Sequence, residues 1–569
     1  MYGHSASPAR GWGSALAAAL AACSGNSEAA GPAAGSGGGR PAASFTDVTA
    51  DAGIAALPDR GTGDYFMPES LAAGCALFDC DLDGDLDVYL VNGFRAADGS
   101  TVTPQGANRL WIQEERLRFR DATESSGAGD RGYGMGVAVG DASGDGYPDL
   151  YVTNYGPDTF LASRGDGTFE DRTGASGLGQ PAWGSSAGFF DLDLDGDLDL
   201  YVANYLDYLH TRPSTDRAGR PEYAGPHSFE GVPDCLYRNL GGGRFEDISA
   251  SSGIANARSK GLGVIFLDLD GDGRTDVYVA NDAQPNHAWI NAGDGTFRER
   301  ARELGLAVSA SGAAQASMGL AAGDLDGDGR LELFATNLVQ ETNVLYREPS
   351  PGRWQDATLG SGLGPPSLDR TGFGTAFADL ELDGDLDVLV ANGRVLRTVS
   401  DPRARIRAHW SPYAEPDQVL VNDGRGRFRE VPAGDFTREV RVSRGLAVGD
   451  VDGDGALDVL LTCADGHVAL LRNGSERAGR WLVARVVEGS LPRDAIGARV
   501  EVRAGGRSHV RLVQPASSYL SSSDPRVHFG LGQVQAIEEV LVRWPDGALE
   551  RFDGVELDRA CTLERGKGR

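Results

Sequence analysis

Short apolar runs rich in β-branched residues recur along this chain, each entered through an acidic turn. The first is "FDCDLDGDLDVYLVN", Phe78 to Asn92, where five acidic side chains in nine positions run into "VYLVN". Six more copies follow: "DASGDGYPD" at 141, "DLDLDGDLD" at 191, "DLDGDGRTD" at 268, "DLDGDGRLE" at 324, "DLELDGDLD" at 379 and "DVDGDGALD" at 450. The apolar runs behind them ("LYVTN", "LYVAN", "VYVAN", "LFATN", "VLVAN", "VLLTC") are four to five residues long, which is strand length rather than helix length. Before each loop stands a Phe-x-Asp-type segment, such as "FTDVT" at 45 and "FEDRT" at 169. After it stands a second apolar segment, such as "NRLWIQ" at 108 and "HVALLRN" at 467. Glycine-rich links such as "AGDGTF" read as hairpin turns. Each module therefore predicts about four antiparallel strands.

Seven all-β modules about 60 residues apart fit radial repetition in a β-propeller. The order of pieces predicts how the ring closes. A Phe-x-Asp strand precedes the first loop and none follows the last module, so Phe45–Thr49 is expected to pair with the segment at Val468–Leu471. An open solenoid, the alternative, would leave two bare sheet edges. The C-terminal stretch alternates in "WLVARVVEG", "ARVEVRAGG" and "EEVLVRWPDG" and reads as a small β-sandwich.

Charge changes the picture of the loops. Like charges about 4 Å apart cost about 4 kcal/mol per pair at an effective dielectric of 20, so seven bare clusters would be hard to keep folded. Position twelve excludes an EF-hand, which needs a bidentate Glu there; this chain has Leu90, Val152, Val202, Val279, Ala335, Val390 and Leu461. Oxygen ligands at positions 1, 3, 5 and 9, a carbonyl near 7 and a Gly at or beside 6 still suit Ca²⁺. The expected ligands are Asp79, Asp81, Asp83 and Asp87; Asp141, Ser143, Asp145 and Asp149; Asp191, Asp193, Asp195 and Asp199; and Asp268, Asp270, Asp272 and Asp276. The last three loops offer Asp324, Asp326, Asp328 and Glu332; Asp379, Glu381, Asp383 and Asp387; and Asp450, Asp452, Asp454 and Asp458. About one structural Ca²⁺ per blade would absorb roughly half of the net charge of −29. From Glu476 onward the chain holds 15 basic and 13 acidic residues, against 38 and 69 before it. That asymmetry places a domain boundary, with a propeller over 45–475 and the sandwich over 476–569.

The "DxDxDGxxD" loops resemble FG-GAP or VCBS repeats, the type found in integrin α-subunit propellers. The tail segments "AIGARVEV" at 495, "HFGLG" at 528 and "VRWPDG" at 542 resemble an ASPIC/UnbV domain. The combination is similar to the cartilage acidic protein family and its bacterial members. The resemblance implies an all-β chain, a seven-bladed propeller of calcium-binding repeats followed by the small sandwich, and a matrix or binding role.

The leader "GWGSALAAALAACSG" carries Leu20-Ala21-Ala22-Cys23, which resembles a lipobox. Residues 1–23 are thus expected to be a signal peptide, Cys23 the lipidated residue and 24–44 a flexible Gly/Ala/Ser tether. The expected location is periplasmic or outer-membrane and cell-surface, with membrane contact only through that anchor. The remaining cysteines show no CxxC spacing.

Three modules lengthen the connection after the second strand: 93–107, 205–233 and 393–416. Equivalent connections share one propeller face, often the binding face. The candidate ligand residues there are Tyr205, Tyr208, His210, Arg212, Tyr223 and His227, then Arg403, Arg405, Arg407, His409, Trp410 and Tyr413. Arg beside aromatics suits a glycan; packing on the blades is the plainer alternative. A glycan or surface protein is the expected partner, and nucleic acid is not expected for so acidic a chain. "GSSAG" at 184 formally matches a nucleophile elbow, but Ser186 fills a slot that is Gly in the other six modules. No catalytic residue is assigned. The competing function is a calcium-dependent polysaccharide lyase or hydrolase working from the insertion face.

Overall fold

The computed structural model describes residues 43–96, 99–209, 214–489 and 493–569. Cys23, His210, Arg212 and the expected leader lie outside them. Among the described residues the repeats form seven sheets whose four repeat strands run antiparallel. Blade 1 is Cys75–Phe78, Asp87–Leu90, Arg109–Glu115 and Arg118–Asp121, from the channel outward. Blade 4 is Gly261–Leu267, Asp276–Asn281, His287–Asn291 and Phe297–Glu299. Blade 7 is Ser443–Gly449, Asp458–Cys463 and Val468–Asn473, completed by Phe45–Asp47. Phe45 pairs with Asn473 and Asp47 with Leu471, the closure that the order of the repeats predicts.

The inner two strands of each blade read as continuous apolar runs because both of their faces are covered. Apolar residues from successive blades share one core, as where Ile265 and Tyr278 of blade 4 meet Leu333 and Tyr346 of blade 5. Each fully buried Leu, Ile or Val contributes roughly 1.5–3 kcal/mol. Inner strands approach so closely that a Cβ on Gly263 would stand 2.1 Å from the Met318 carbonyl oxygen, and one on Gly319 2.0 Å from that of Phe373. That is why the slot is small in every module.

Polar ties reinforce the ring. The position-2 residue of each acidic loop is apolar and buried, and its carbonyl receives a side-chain N–H from the next blade at six of the seven seams. Asn239 Nδ2 donates to Ala142, Asn291 Nδ2 to Leu192 and Trp354 Nε1 to Leu269. Asn422 Nδ2 donates to Leu325, Asn473 Nδ2 to Leu380 and Gln113 Nε2 to Val451. The last of these joins blade 1 to blade 7.

The C-terminal domain has two sheets, one of Arg480–Val487, Val527–Gly532 and Arg559–Glu564, the other of Arg499–Ala504, Arg507–Leu512, Glu539–Arg543 and Leu549–Phe552. They enclose a core including Leu482, Val500, Phe529, Val540 and Trp544. The domain sits on the acidic-loop face: Arg526 Nη1 donates to Gly84 O, the His528 Nε2–H to Gly455 O and Gly532 N to Leu382 O. From it a tight hairpin, Ala516–Ser522, enters the central channel. Ser522 pairs with Ala76, Ser518 bridges Leu320, and Leu520 N donates to Ser186 Oγ at 3.1 Å. Ser186 is a channel-lining hydrogen-bond partner. Tyr519 O–H reaches Leu71 O at 3.0 Å and its ring meets Phe373, so the plug touches a segment that enters from the opposite face.

Candidate functional site

The loop geometry repeats from blade to blade. The position-1 carboxylate folds the turn: Asp79 accepts from the backbone N–H of Asp83 and Gly84, and Asp268 from Gly271, Asp272 and Gly273. Position 5 accepts from the N–H two residues on, as Asp83 does from Asp85 at 2.9 Å. The position-9 carboxylate clamps loop to sheet. Asp199 takes Leu192 N and Asn239 N, both at 2.8 Å, and Asp276 takes Leu269 N and Asn291 N at 2.8 Å.

Position 3 behaves differently. Asp81 Oδ1, Asp270 Oδ1, Asp452 Oδ1 and both carboxylate oxygens of Glu381 are buried without a hydrogen-bond partner, a costly state for a charged group. Asp81 and Asp270 belong to carboxylate clusters, and the same grouping recurs in other blades. One ligand atom each from Asp191, Asp193 and Asp199 lie within 4.8 Å of one another, as do those of Asp268, Asp270 and Asp276, and of Asp324, Asp326 and Glu332. In blade 1 the grouping is Asp79, Asp81 and Asp83. The structure thus brings positions 1, 3 and 9 together in blades 3 to 5 and leaves position 5 at the rim. An orphaned oxygen beside two fixed carboxylates is a donor set that fits a hard divalent cation.

Burial drives the protonation state of these groups. It pushes Asp87 and Asp149 up to about 7 and Asp199, Asp276 and Glu332 to about 8, with neighbouring carboxylates adding and backbone N–H donors opposing. Asp79, Asp191 and Asp450 rise to about 6 and Asp379 to about 8 for the same first reason. A bound divalent cation inverts that balance.

Arginines supply a second source of positive charge that the sequence reading missed. Arg300 lies 3.0 Å from Asp270, Arg347 3.5 Å from Asp326, and Arg116 3.0 Å from Asp452, which Arg472 also holds. Arg347 and Arg472, with Arg238 at 3.6 Å from Asp193, stand in the recurring third-strand endings "LYRN", "LYRE" and "LLRN", where their signal was visible; Arg116 and Arg300 carry no such pattern. In blade 6 no arginine pairs with Glu381 among the described residues; Ala478 N donates to the Glu381 backbone carbonyl at 2.6 Å instead.

On the opposite face, the Asn ending the second strand staples the connection in six of the seven blades whatever its length; blade 7 has Cys463 there. Asn154 Nδ2 donates to Pro157 O, Asn204 Nδ2 to Pro233 O and Asn392 Nδ2 to Pro416 O. The second and third insertions meet: Tyr223 O–H and His409 Nε2 are 2.9 Å apart, and Tyr413 O–H donates to Glu222. Most aromatic candidates are spent on packing. Tyr205, Tyr208, Tyr223, Trp410 and Tyr413 are buried; Tyr205 O–H donates to Asp282, Trp410 Nε1 to Asp59, and Tyr208 O–H accepts from Met67 N. His409 is half-buried, and His227, Arg403, Arg405 and Arg407 are exposed. Arg403 pairs with Asp401 and Arg407 with Asp59. Beneath them Glu69 is fully buried, pushed up to about 7 by desolvation, and accepts from Thr62 Oγ1 and Tyr223 O–H.

Comparison with known proteins follows the same division. The FG-GAP-like repeat pattern matches six segments, 79–152, 143–202, 228–279, 268–335, 324–390 and 410–461. The ASPIC and UnbV pattern matches 489–569. Cartilage acidic protein 1 of Mus musculus and of Homo sapiens are each 26% identical over 314 residues, 53% of this chain and 44% and 43% of theirs. The chain therefore spans less than half the length of these relatives. Among solved structures, an Agrocybe aegerita lectin described as recognising non-reducing terminal N-acetylglucosamine superposes with a TM-score of 0.37 at 15% identity, over 64% of this chain and 87% of its own.

Proposed function

The chain belongs to the FG-GAP-like repeat family, and on that premise we propose that it is an exported, calcium-stabilised propeller that serves as a binding or adhesion module. The observation that carries the calcium assignment is Asp270, whose buried Oδ1 has no hydrogen-bond partner and whose carboxylate clusters with those of Asp268 and Asp276, together with Asp81, likewise unpartnered at Oδ1 and clustered with Asp79 and Asp83. Asp81, Asp270, Glu381 and Asp452 would complete the coordination in their blades, and the ion would supply structural charge neutralisation. Millimolar calcium outside the cytoplasm suits such modular sites, whose dissociation constants run roughly 10⁻⁴–10⁻³ M. Export therefore supports the reading, as does the lipobox-like Cys23. Among the described residues no helix is long and apolar enough to cross a membrane, so attachment would fall to the lipid.

The partner surface of this reading is the insertion face, where Arg403, Arg405 and Arg407 stand exposed on the third insertion. Guanidinium groups in that setting favour an acidic glycan over a neutral one. The test is retention of the full chain on a polysaccharide panel, with and without chelator, while scoring new chain ends. Retention on acidic polymers that chelator abolishes, with no cleavage and a loss in Arg405→Ala, is the expected result. Retention of no polysaccharide would move the reading to a surface protein, and new ends would replace it with an enzyme.

A further inference from the structure

A cleft of about 370 Å³ lies at the seam between blades 4 and 5 and the C-terminal domain. Its size falls in the range of small-molecule sites, and domain seams are a usual place for them. One wall is the acidic-loop side of the two blades, with Asp268, Arg274, Arg330 and Glu348. The other is the sheet face that carries Arg499 and Arg543.

Those two arginines are register partners on adjacent antiparallel strands, so their side chains leave the same face of the sheet side by side. Like charges directly opposite each other destabilise a sheet. The same strand pair shows the ordinary solution four residues along, where Arg503 faces Glu539 and pairs with it at 2.6 Å. A chain with 82 acidic residues has no shortage of carboxylates, yet among the described residues Arg499 and Arg543 form no ion pair. Arg499 Nη2 donates to the Gly329 carbonyl, and Arg543 Nη1 donates to Gly547 O at 3.4 Å. The two acids lining the cleft are occupied elsewhere. Asp268 accepts from three N–H groups of its own loop, and Glu348 Oε1 accepts from Gly352 N. Arg274 and Arg330 are held by Asp272 and Asp328. The cleft thus presents two guanidinium groups that no carboxylate contacts directly among the described residues, between apolar edges at Pro351 and Pro545.

We propose that this cleft binds a small molecule bearing an oxyanion, a carboxylate or sulfate on a sugar-sized body, clamped between Arg499 and Arg543. The two arginines belong to the C-terminal sheet and lie apart from the insertion face, but the blade-4 loop, with Asp268 and Gly271, forms part of the wall, so the titration is run at fixed calcium. Its test is the melting temperature of the full chain at fixed ionic strength against glucuronate, inorganic sulfate and, as the neutral control, glucose. Glucuronate should raise the melting temperature in a saturable way and glucose should not. A matching response to sulfate would show that the oxyanion alone suffices, and its absence would show that the sugar body is read as well. Arg543→Gln is the decisive variant, because its guanidinium touches only the adjacent turn. It should melt slightly higher than the parent without ligand, since the like-charge pair is gone, and bind glucuronate about tenfold more weakly or worse. No shift with either anion, or an equal shift in Arg543→Gln, would overturn the proposal.

Discussion

The two faces of the propeller are built from the same strands and solve opposite problems. On the acidic-loop face the connections are uniform in length and dense in charge, and each loop uses positions 1 and 9 to hold its own backbone. What is left over is position 3, where arginine reaches one oxygen of Asp270 and Asp452 and leaves the other bare, while Glu381 has no arginine partner among the described residues. On the insertion face the connections differ in length, mix acidic and basic residues, and knit together through Tyr65, Tyr223, His409, Trp410 and Tyr413. Uniform repeats make electrostatic sites; irregular insertions make packing. Two buried arginines mark the change of style, since the hydrogen bonds of Arg60 and Arg444 go to backbone carbonyls, including Val91, Cys463, Ser70 and Gly393, with Arg60 Nε left without a partner and Arg444 over the Phe373 ring.

The hairpin that plugs the channel joins the faces, and breaking it should give the largest effect. Tyr519 is fully buried, packs on Phe373 and reaches Leu71 on the far side. Tyr519→Ala should cost about 3–5 kcal/mol, the range for truncating a large buried aromatic, read as a lower melting temperature. A loss below about 1 kcal/mol would mean that the C-terminal domain rests on the loop face without bracing the channel.

A smaller effect would sharpen the contrast from the insertion side. Glu69 has its pKa raised to about 7 by burial, against about 4.3 in an unfolded chain. A raised folded value means that the native state holds the proton more tightly. The stabilisation is complete below pH about 4 and fades as pH rises through 7. Glu69→Gln removes that titration, so the parent should lose about 1 kcal/mol relative to the variant between pH 6 and 8. Parallel pH profiles for the two proteins would show Glu69 ionised throughout.

Much of the architecture was legible because a repeat states its rule seven times. The spacing of the acidic loops gave the sheets, and the unpaired Phe45 strand gave the closure. The grouping of carboxylates at positions 1, 3 and 9 in blades 3 to 5 was legible too, because every copy of the repeat sets them at the same points of one turn. The plug was not: "PASSYLSSSDP" has neither alternation nor a long apolar run, and its strands are two residues each. Its meaning comes only from the channel it fills. The fate of Tyr205 and Trp410 was equally hidden, because an aromatic residue in a long connection has the same composition whether it faces solvent or a neighbouring insertion. Arg499 opposite Arg543 required the register of a sheet that the sequence places only roughly.

The central claim is that cations complete the acidic loops, and the most direct measurement is the melting temperature of the full chain across a calcium titration started from chelator. Saturating one site to a hundred times its dissociation constant stabilises the native state by about 2.7 kcal/mol, and several sites add. The account predicts a melting temperature that climbs steadily with the logarithm of free calcium and falls back when chelator is restored. A melting curve indifferent to both would mean that arginines and protons alone neutralise these loops.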